Sequence, residues 1–216
     1  MEPQGRGRAD CFPAVDFARR VWRDVCGAEE FIEMMQWWAY VLVLAGIAAW
    51  VAPFLLAKRH PELTSTIDKR ARWGMLLEMF SFAALWQSQF WMRPVPGWRV
   101  ALAVMSFAIA AGISWSSVRA LGVQWRFDAG LNAEHELVRH GPYAVVRHPI
   151  YTSLLCLLCG VGFVVAPWPL LALSIALFVA GTEIRVYVEE NLLRGRFGEV
   201  FQKYQQSVRA YLPLVR

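Results

Sequence analysis

The chain has 216 residues, 57% of them hydrophobic and 18% charged, with a formal net charge of +5 and eleven tryptophans. Soluble domains average about 45–50% apolar and about 25% charged residues, so a disordered chain, a small disulfide scaffold and most water-soluble enzyme classes are excluded. Together with a mean hydropathy of +0.35 and the preference of indole rings for the boundary between hydrocarbon and water, this leaves an integral membrane protein of one domain.

In chain order, residues 1–33 carry arginines but no apolar stretch of the kind a cleavable signal needs. Phe17, Val21 and Val25 share one helical face there, so residues 14–33 read as an amphipathic helix on the membrane or a flexible segment. Residues 34–57 hold no charge and are long enough to cross about 30 Å of hydrocarbon. Residues 73–92 form a second candidate span, interrupted by Glu78, Gln87 and Gln89, and residues 98–118 a third. Residues 150–182 are uncharged but too long for one crossing, and Pro167-Trp168-Pro169 at their middle predicts a tight helical hairpin. The count is five transmembrane helices, and the fold class is all-α and polytopic. From Glu189 the apolar residues Leu193, Phe197, Val200, Phe201, Tyr204 and Val208 recur at helical spacing, with Gly198 as punctuation. That tail reads as one or two helices against the membrane face. The chain therefore divides into residues 1–33, three spans over 34–118, and a core over 119–216 containing the hairpin 150–187 and the C-terminal helices.

Fifteen lysines and arginines fall on the side of the 119–149 loop and the C-terminus, against Arg93 and Arg99 in the loops of the other side, where five spans also place the N-terminal segment with Arg19, Arg20 and Arg23. The positive-inside rule then places that loop and the C-terminus in the cytoplasm. No basic block stands clear of the apolar segments, so the charge surplus points to membrane and not to nucleic acid. Cys156 and Cys159 lie within an apolar run, where two small packing residues are the simplest reading and no disulfide framework is implied.

Polar residues concentrate in two places. One runs from His135 to Tyr151, directly before span four; the other is Glu183, Arg185, Glu189 and Glu190, at the exit of span five. Both ends of a hairpin emerge on one side, so the two clusters are expected to meet. Arg185 and Glu189, at i and i+4, would alone be an interfacial ion pair of small worth. Opposite His135, His140, His148, Tyr143 and Tyr151 they read as a site for partners of complementary charge. Histidines five and eight residues apart, with no cysteine near, do not match a metal site, so none is expected. Glu78, six residues past Arg72, reads as a snorkelling carboxylate.

The segments HELVRHGPYAVVRHPIYTS, starting at His135, and RVYVEENLLRGRFGEVFQKYQQSVRAYLP, starting at Arg185, resemble the isoprenylcysteine carboxyl methyltransferase family, whose wider superfamily includes phospholipid N-methyltransferases. The resemblance covers roughly residues 121–213 and leaves the first three spans without a motif. It implies a membrane-embedded methyltransferase using S-adenosyl-L-methionine and releasing S-adenosyl-L-homocysteine. The cofactor pocket would lie between the loop before helix four and the C-terminal helices. Its cofactor contacts are implied to be His135, Glu136, Leu137, Val138, Tyr143, His148, Pro149, Ile150, Tyr151 and Glu189. Arg185 is implied to bind substrate and act in catalysis, and Asp128 stands where eukaryotic members have an amide. The implied substrate is a lipid-like or lipidated molecule arriving from the bilayer.

A carboxylate acceptor is already ionised at neutral pH and needs no base, whereas a phospholipid amine has to lose a proton to a base such as His148 or Glu190. The expected reaction is O-methylation of isoprenylcysteine or a similar lipid-linked acid. Head-group N-methylation is the alternative, and a non-catalytic scaffold or transporter is what the spans alone would allow.

Overall fold

A computed structural model describes residues 28–57, 70–87, 93–122 and 137–211. The elements in chain order are α1 (Ala28–Leu56), α2 (Ala71–Ala84), α3 (Gly97–Leu121), a 3-10 turn (Gly141–Ala144), α4 (Pro149–Val165), α5 (Trp168–Phe197) and α6 (Glu199–Ser207). Extended pairing among the described residues is limited to an isolated parallel bridge between Val146 and Arg209. The all-α, polytopic reading therefore holds.

α1, α3 and α5 are long and apolar enough to cross a bilayer. Their outer faces present large apolar side chains, among them Trp37, Leu55, Met105 and Leu173. A contiguous apolar exterior is untenable in water and ordinary in lipid. α2 and α4 are shorter, at 14 and 17 residues. α2 stops at Ala84, short of the expected 73–92 span, because its last turn tightens and the Gln87 side chain folds back to donate to the Ala83 carbonyl at 3.1 Å. Most of the expected 14–33 amphipathic helix lies outside the described residues, and from Ala28 the backbone runs directly into α1.

The hairpin break falls where the Pro-Trp-Pro sequence predicts it: α4 ends at Val165 and α5 begins at Trp168. Its second arm is longer than the sequence reading allows. α5 continues unbroken past Thr182 through Arg185, Glu189 and Glu190 to Phe197. Charged residues with high helix propensity do not end a helix; Gly198 does, at φ 51°, a left-handed conformation that favours glycine. The cluster beyond Thr182 is thus part of the same rod as the membrane crossing, and α6 alone is a separate C-terminal helix. Nor do the hairpin arms pack chiefly on each other: α4 lies mainly against α3, and α5 mainly against α2.

Two close approaches set this arrangement. The Phe107 ring of α3 sits against Gly46 of α1 and Gly160 of α4, where an added Cβ would meet ring carbons at 2.5 and 2.6 Å. α2 and α5 cross at Gly74 and Gly181, where a Cβ on either residue would meet the other's carbonyl oxygen at 2.5–2.6 Å. Small residues permit such backbone contact within membranes. At the turn end, buried Arg99 donates to the Ala166 carbonyl at 2.5 Å, satisfying the α4 terminus, while Trp98 and Trp168 stack at 5.9 Å beside it.

Gly181→Val therefore forces α2 away from α5. Overpacking of this kind costs about 1–3 kcal/mol, and the expected result is a lower Tm by scanning fluorimetry in detergent; an unchanged Tm would contradict the crossing.

Candidate functional site

The site forms where the loop before α4, the first turn of α4, α5 and the chain after α6 converge. Gly141, at φ 61°, and Pro142 start the 3-10 turn that brings the chain into α4. Proline at the first helical position of α4 suits a residue without an N–H. The backbone N–H groups of Arg147 and His148 donate to the carbonyls of Arg209 and Ala210, each at 2.7 Å, so the C-terminal stretch is strapped to the loop. Thr152 donates to the Tyr211 carbonyl at 2.6 Å, and Tyr204 to the Tyr143 carbonyl at 2.5 Å, closing the same strap from both sides.

Glu189 and Glu190 are consecutive on α5 and diverge around it. The Glu190 carboxylate is buried and accepts from Arg147 Nη2 at 2.6 Å, from Arg147 Nε at 3.0 Å and from Gln205 Nε2 at 2.6 Å. The remaining Arg147 amino group donates to the carbonyls of Gln205, at 3.0 Å, and Val208. Arg147 thus binds α5 to the chain after α6. His148, also buried, lies between the two acids, with Nδ1 3.4 Å from Glu189 Oε2 and Nε2 3.4 Å from Glu190 Oε1. The Tyr151 hydroxyl donates to Glu189 Oε1.

Arg185 stands over the Tyr151 ring, its guanidinium carbon 5.1 Å from the centroid. Its Nη2 is 4.0 Å from Glu189 Oε1, and its Nη1 is closer, at 3.3 Å, to Glu78 Oε2 on α2. Glu78 does not snorkel: it is 5% exposed, and its other oxygen accepts from Thr182 at 3.2 Å. A carboxylate placed mid-way through an apolar helix is a sequence signal for such a partner, but the identity of the partner needs the helix crossing.

Burial alone would lower the pKa of His148, yet hydrogen bonds to Glu189 and Glu190, with the charges of both acids, raise it above the usual 6.5. Burial pushes the Tyr143 phenol well up, with the Glu189 charge acting in the same direction. Tyr204 is pushed up to about 12 by burial, against the opposing charges of Arg147 and Arg139. The site thus holds a histidine biased toward its cationic form and neutral phenols.

Of the residues anticipated from sequence, Arg185, Glu189, His148 and Tyr151 converge directly. Tyr143 is buried within electrostatic reach of Glu189, and Pro149 is buried as the first residue of α4. Ile150 packs the other way, against the Phe54 and Val118 cluster of α1 and α3. Leu137 and Val138 are half-buried ahead of the 3-10 turn, and His140 is exposed. His135, Glu136 and Asp128 lie outside the described residues. Arg147, Gln205 and Thr182 are the participants that sequence reading missed.

This is a helical membrane protein with a buried ionic site at one end of its bundle. Residues 98–200 match the family model described as phospholipid methyltransferase. The chain is 33% identical over 85 residues to a protein-S-isoprenylcysteine O-methyltransferase of Tribolium castaneum, covering 39% of this chain and 30% of that protein. It is 31% identical over 83 residues to a probable protein-S-isoprenylcysteine O-methyltransferase of Oryza sativa subsp. indica, covering 38% and 43% respectively. The match spans less than half the length of each relative. These similarities, to the phospholipid methyltransferase model and to isoprenylcysteine O-methyltransferases, cover part of the chain and agree with the motif resemblance there.

The raised His148 pKa has a stability consequence. The His148 contribution to folding is fully present below 6.5 and is lost as pH rises through its higher folded-state pKa. The Tm in detergent is expected to fall across that window, and His148→Gln to flatten this part of the profile; an equal fall in the variant would assign it to other groups.

Proposed function

We propose that the protein is an S-adenosyl-L-methionine-dependent methyltransferase that O-methylates the carboxylate of isoprenylcysteine or a similar lipid-linked acid. The observation that carries this reading is the pairing on one helix of a cation, Arg185, and an acid, Glu189, one turn apart and walled by Tyr151. The names of the Tribolium and rice relatives support the acceptor class.

The donor set suits the cofactor. Glu189 offers an anionic oxygen to an amino group or sulfonium, and its present donors, Tyr151 and His148, fix the direction of the carboxylate. We assign His135, Glu136, Leu137, Val138, Tyr143, His148, Pro149, Tyr151 and Glu189 to cofactor binding, with Ile150 contributing through its backbone. When bound, the cofactor would supply an electrophilic methyl group for transfer to an acceptor carboxylate oxygen, its sulfur keeping the electron pair of the bond to carbon. Arg185 clamps the acceptor carboxylate. Tyr151 and the α5 wall exclude water and hold acceptor and methyl in near-attack geometry.

The family model's description favours a second reading, N-methylation of a phospholipid head group. That reaction needs a proton acceptor. A His148 biased toward the cation and a Glu190 engaged by Arg147 and Gln205 are poorly placed to serve, so the carboxylate acceptor is preferred. We further propose that α2 and α4 complete a five-crossing topology, with the charged end of the bundle in the cytoplasm. Residues 1–33, 34–118 and 119–216 would then act as amphipathic lead, membrane scaffold and methyl-transfer core.

Purified protein is incubated with methyl-labelled S-adenosyl-L-methionine in vesicles containing either N-acetyl-S-farnesylcysteine or phosphatidylethanolamine. A base-labile methyl ester supports the first reading and a methylated amine the second. Calorimetric titration with S-adenosyl-L-homocysteine that gives no heat at millimolar ligand would falsify both. Glu189→Ala is expected to lose cofactor affinity, whereas Arg185→Ala keeps it and loses turnover by about 100-fold, the scale of a lost orienting contact.

A further inference from the structure

We infer that Glu78 of α2 is a positioning residue for acceptor recognition: it holds the Arg185 guanidinium by Nη1 and turns Nη2 toward Glu189 and Tyr151. The inference rests on the methyl-transfer reading and names the group that aims its acceptor-binding arginine.

The geometry begins at the helix crossing. Gly74 and Gly181 are in backbone contact, and one turn beyond them on each helix stand Glu78 and Arg185. An arginine has a long flexible stem, and leaving it free would charge its ordering to each acceptor that binds. Both Glu78 oxygens are turned to α5: Oε1 accepts from Thr182 at 3.2 Å, and Oε2 faces Arg185 Nη1 at 3.3 Å. The backbone carbonyl of Glu78 accepts from Ser81 at 2.6 Å. Thr182 thereby fixes the carboxylate, and the carboxylate fixes the guanidinium, above the Tyr151 ring at 5.1 Å.

Glu78 is also an anion. An acceptor carboxylate that approaches Arg185 meets a guanidinium already partly neutralised from α2, and the two acids compete for it. Glu78 therefore weakens the binding of the acid and improves its aim. Loss of its charge moves acceptor affinity and turnover in opposite directions. A simple tie between α2 and α5 produces no such split.

The test uses full-length Glu78→Gln protein in nanodiscs, with N-acetyl-S-farnesylcysteine as the acid and S-adenosyl-L-homocysteine as the cofactor probe. Tryptophan fluorescence reads binding of both, and ester formation reads kcat. The expected result is several-fold tighter acid binding, kcat lower by about tenfold through lost orientation, and S-adenosyl-L-homocysteine affinity within about twofold of wild type, since Arg185 and not Glu189 is disturbed. Thr182→Val keeps the side-chain shape and the Glu78 charge but removes the hold on Oε1, so it is expected to lower kcat by less and to leave acid affinity unchanged; if Glu78→Gln does not fold, an unchanged kcat in Thr182→Val overturns the inference. Acid affinity and kcat falling together, or both unchanged while Tm falls, overturns the inference. A wild-type protein that binds the acid but forms no ester overturns the methyl-transfer reading alone, and the binding comparison still judges Glu78. A wild-type protein that binds neither probe overturns both.

Discussion

Two neighbouring carboxylates on α5 have to be compensated inside a largely apolar protein, and much of the architecture at this end of the bundle answers that requirement. Buried acids are tolerated when donors and cations surround them. Glu190 is answered by Arg147, Gln205 and His148, and Glu189 by Tyr151, His148 and Arg185. These donors come from the loop before α4, from α4, from α5 itself and from α6. The C-terminal chain is therefore part of the site: without it Arg147 loses the Gln205 and Val208 carbonyls, and the loop loses the strap at Arg209 and Ala210.

The membrane part of the fold makes that end rigid. α5 is one rod from Trp168 to Phe197, so the register among Arg185, Glu189 and Glu190 is fixed by helix geometry. Its rotation is set by the Gly74–Gly181 contact with α2, and α4 is held to α3 by Phe107 against Gly160. Positions far from the polar cluster thus govern where the cluster's side chains point. Interactions on rigid elements of this sort keep groups aligned, as the proposed methyl transfer without a general base would require.

Much of the site was legible along the chain because its charged and aromatic residues stand out against apolar neighbours. The spacing of Arg185 and Glu189, the histidine-proline at the start of α4 and Tyr151 one turn later all have a local physical reading, and the hairpin break at Pro167 follows from proline chemistry. Two details of the fold have local reasons as well. The charges after Thr182 mark the exit of the span, and because they belong to good helix formers α5 runs on through them to Gly198. Ile150, inside the matching motif, turned to the opposite face of α4 because consecutive helical residues diverge by about 100°. Glu78 was misread: six residues past Arg72 it reads as a carboxylate that reaches for water, and here its reach is to another helix.

By itself the sequence determined the solvent of this protein, its helical class, the place of its hairpin turn and the pair of segments that carry its chemistry. Those properties depend on residue type and on spacing within one helix or turn, over which the chain's geometry is nearly invariant. Only the tertiary structure decided which charge neutralises which. Arg185 meets Glu78 across 107 positions, and Arg147 meets Glu190 across 43. Such pairings depend on how helices rotate and cross, and a single glycine contact sets that angle in a way no local pattern records.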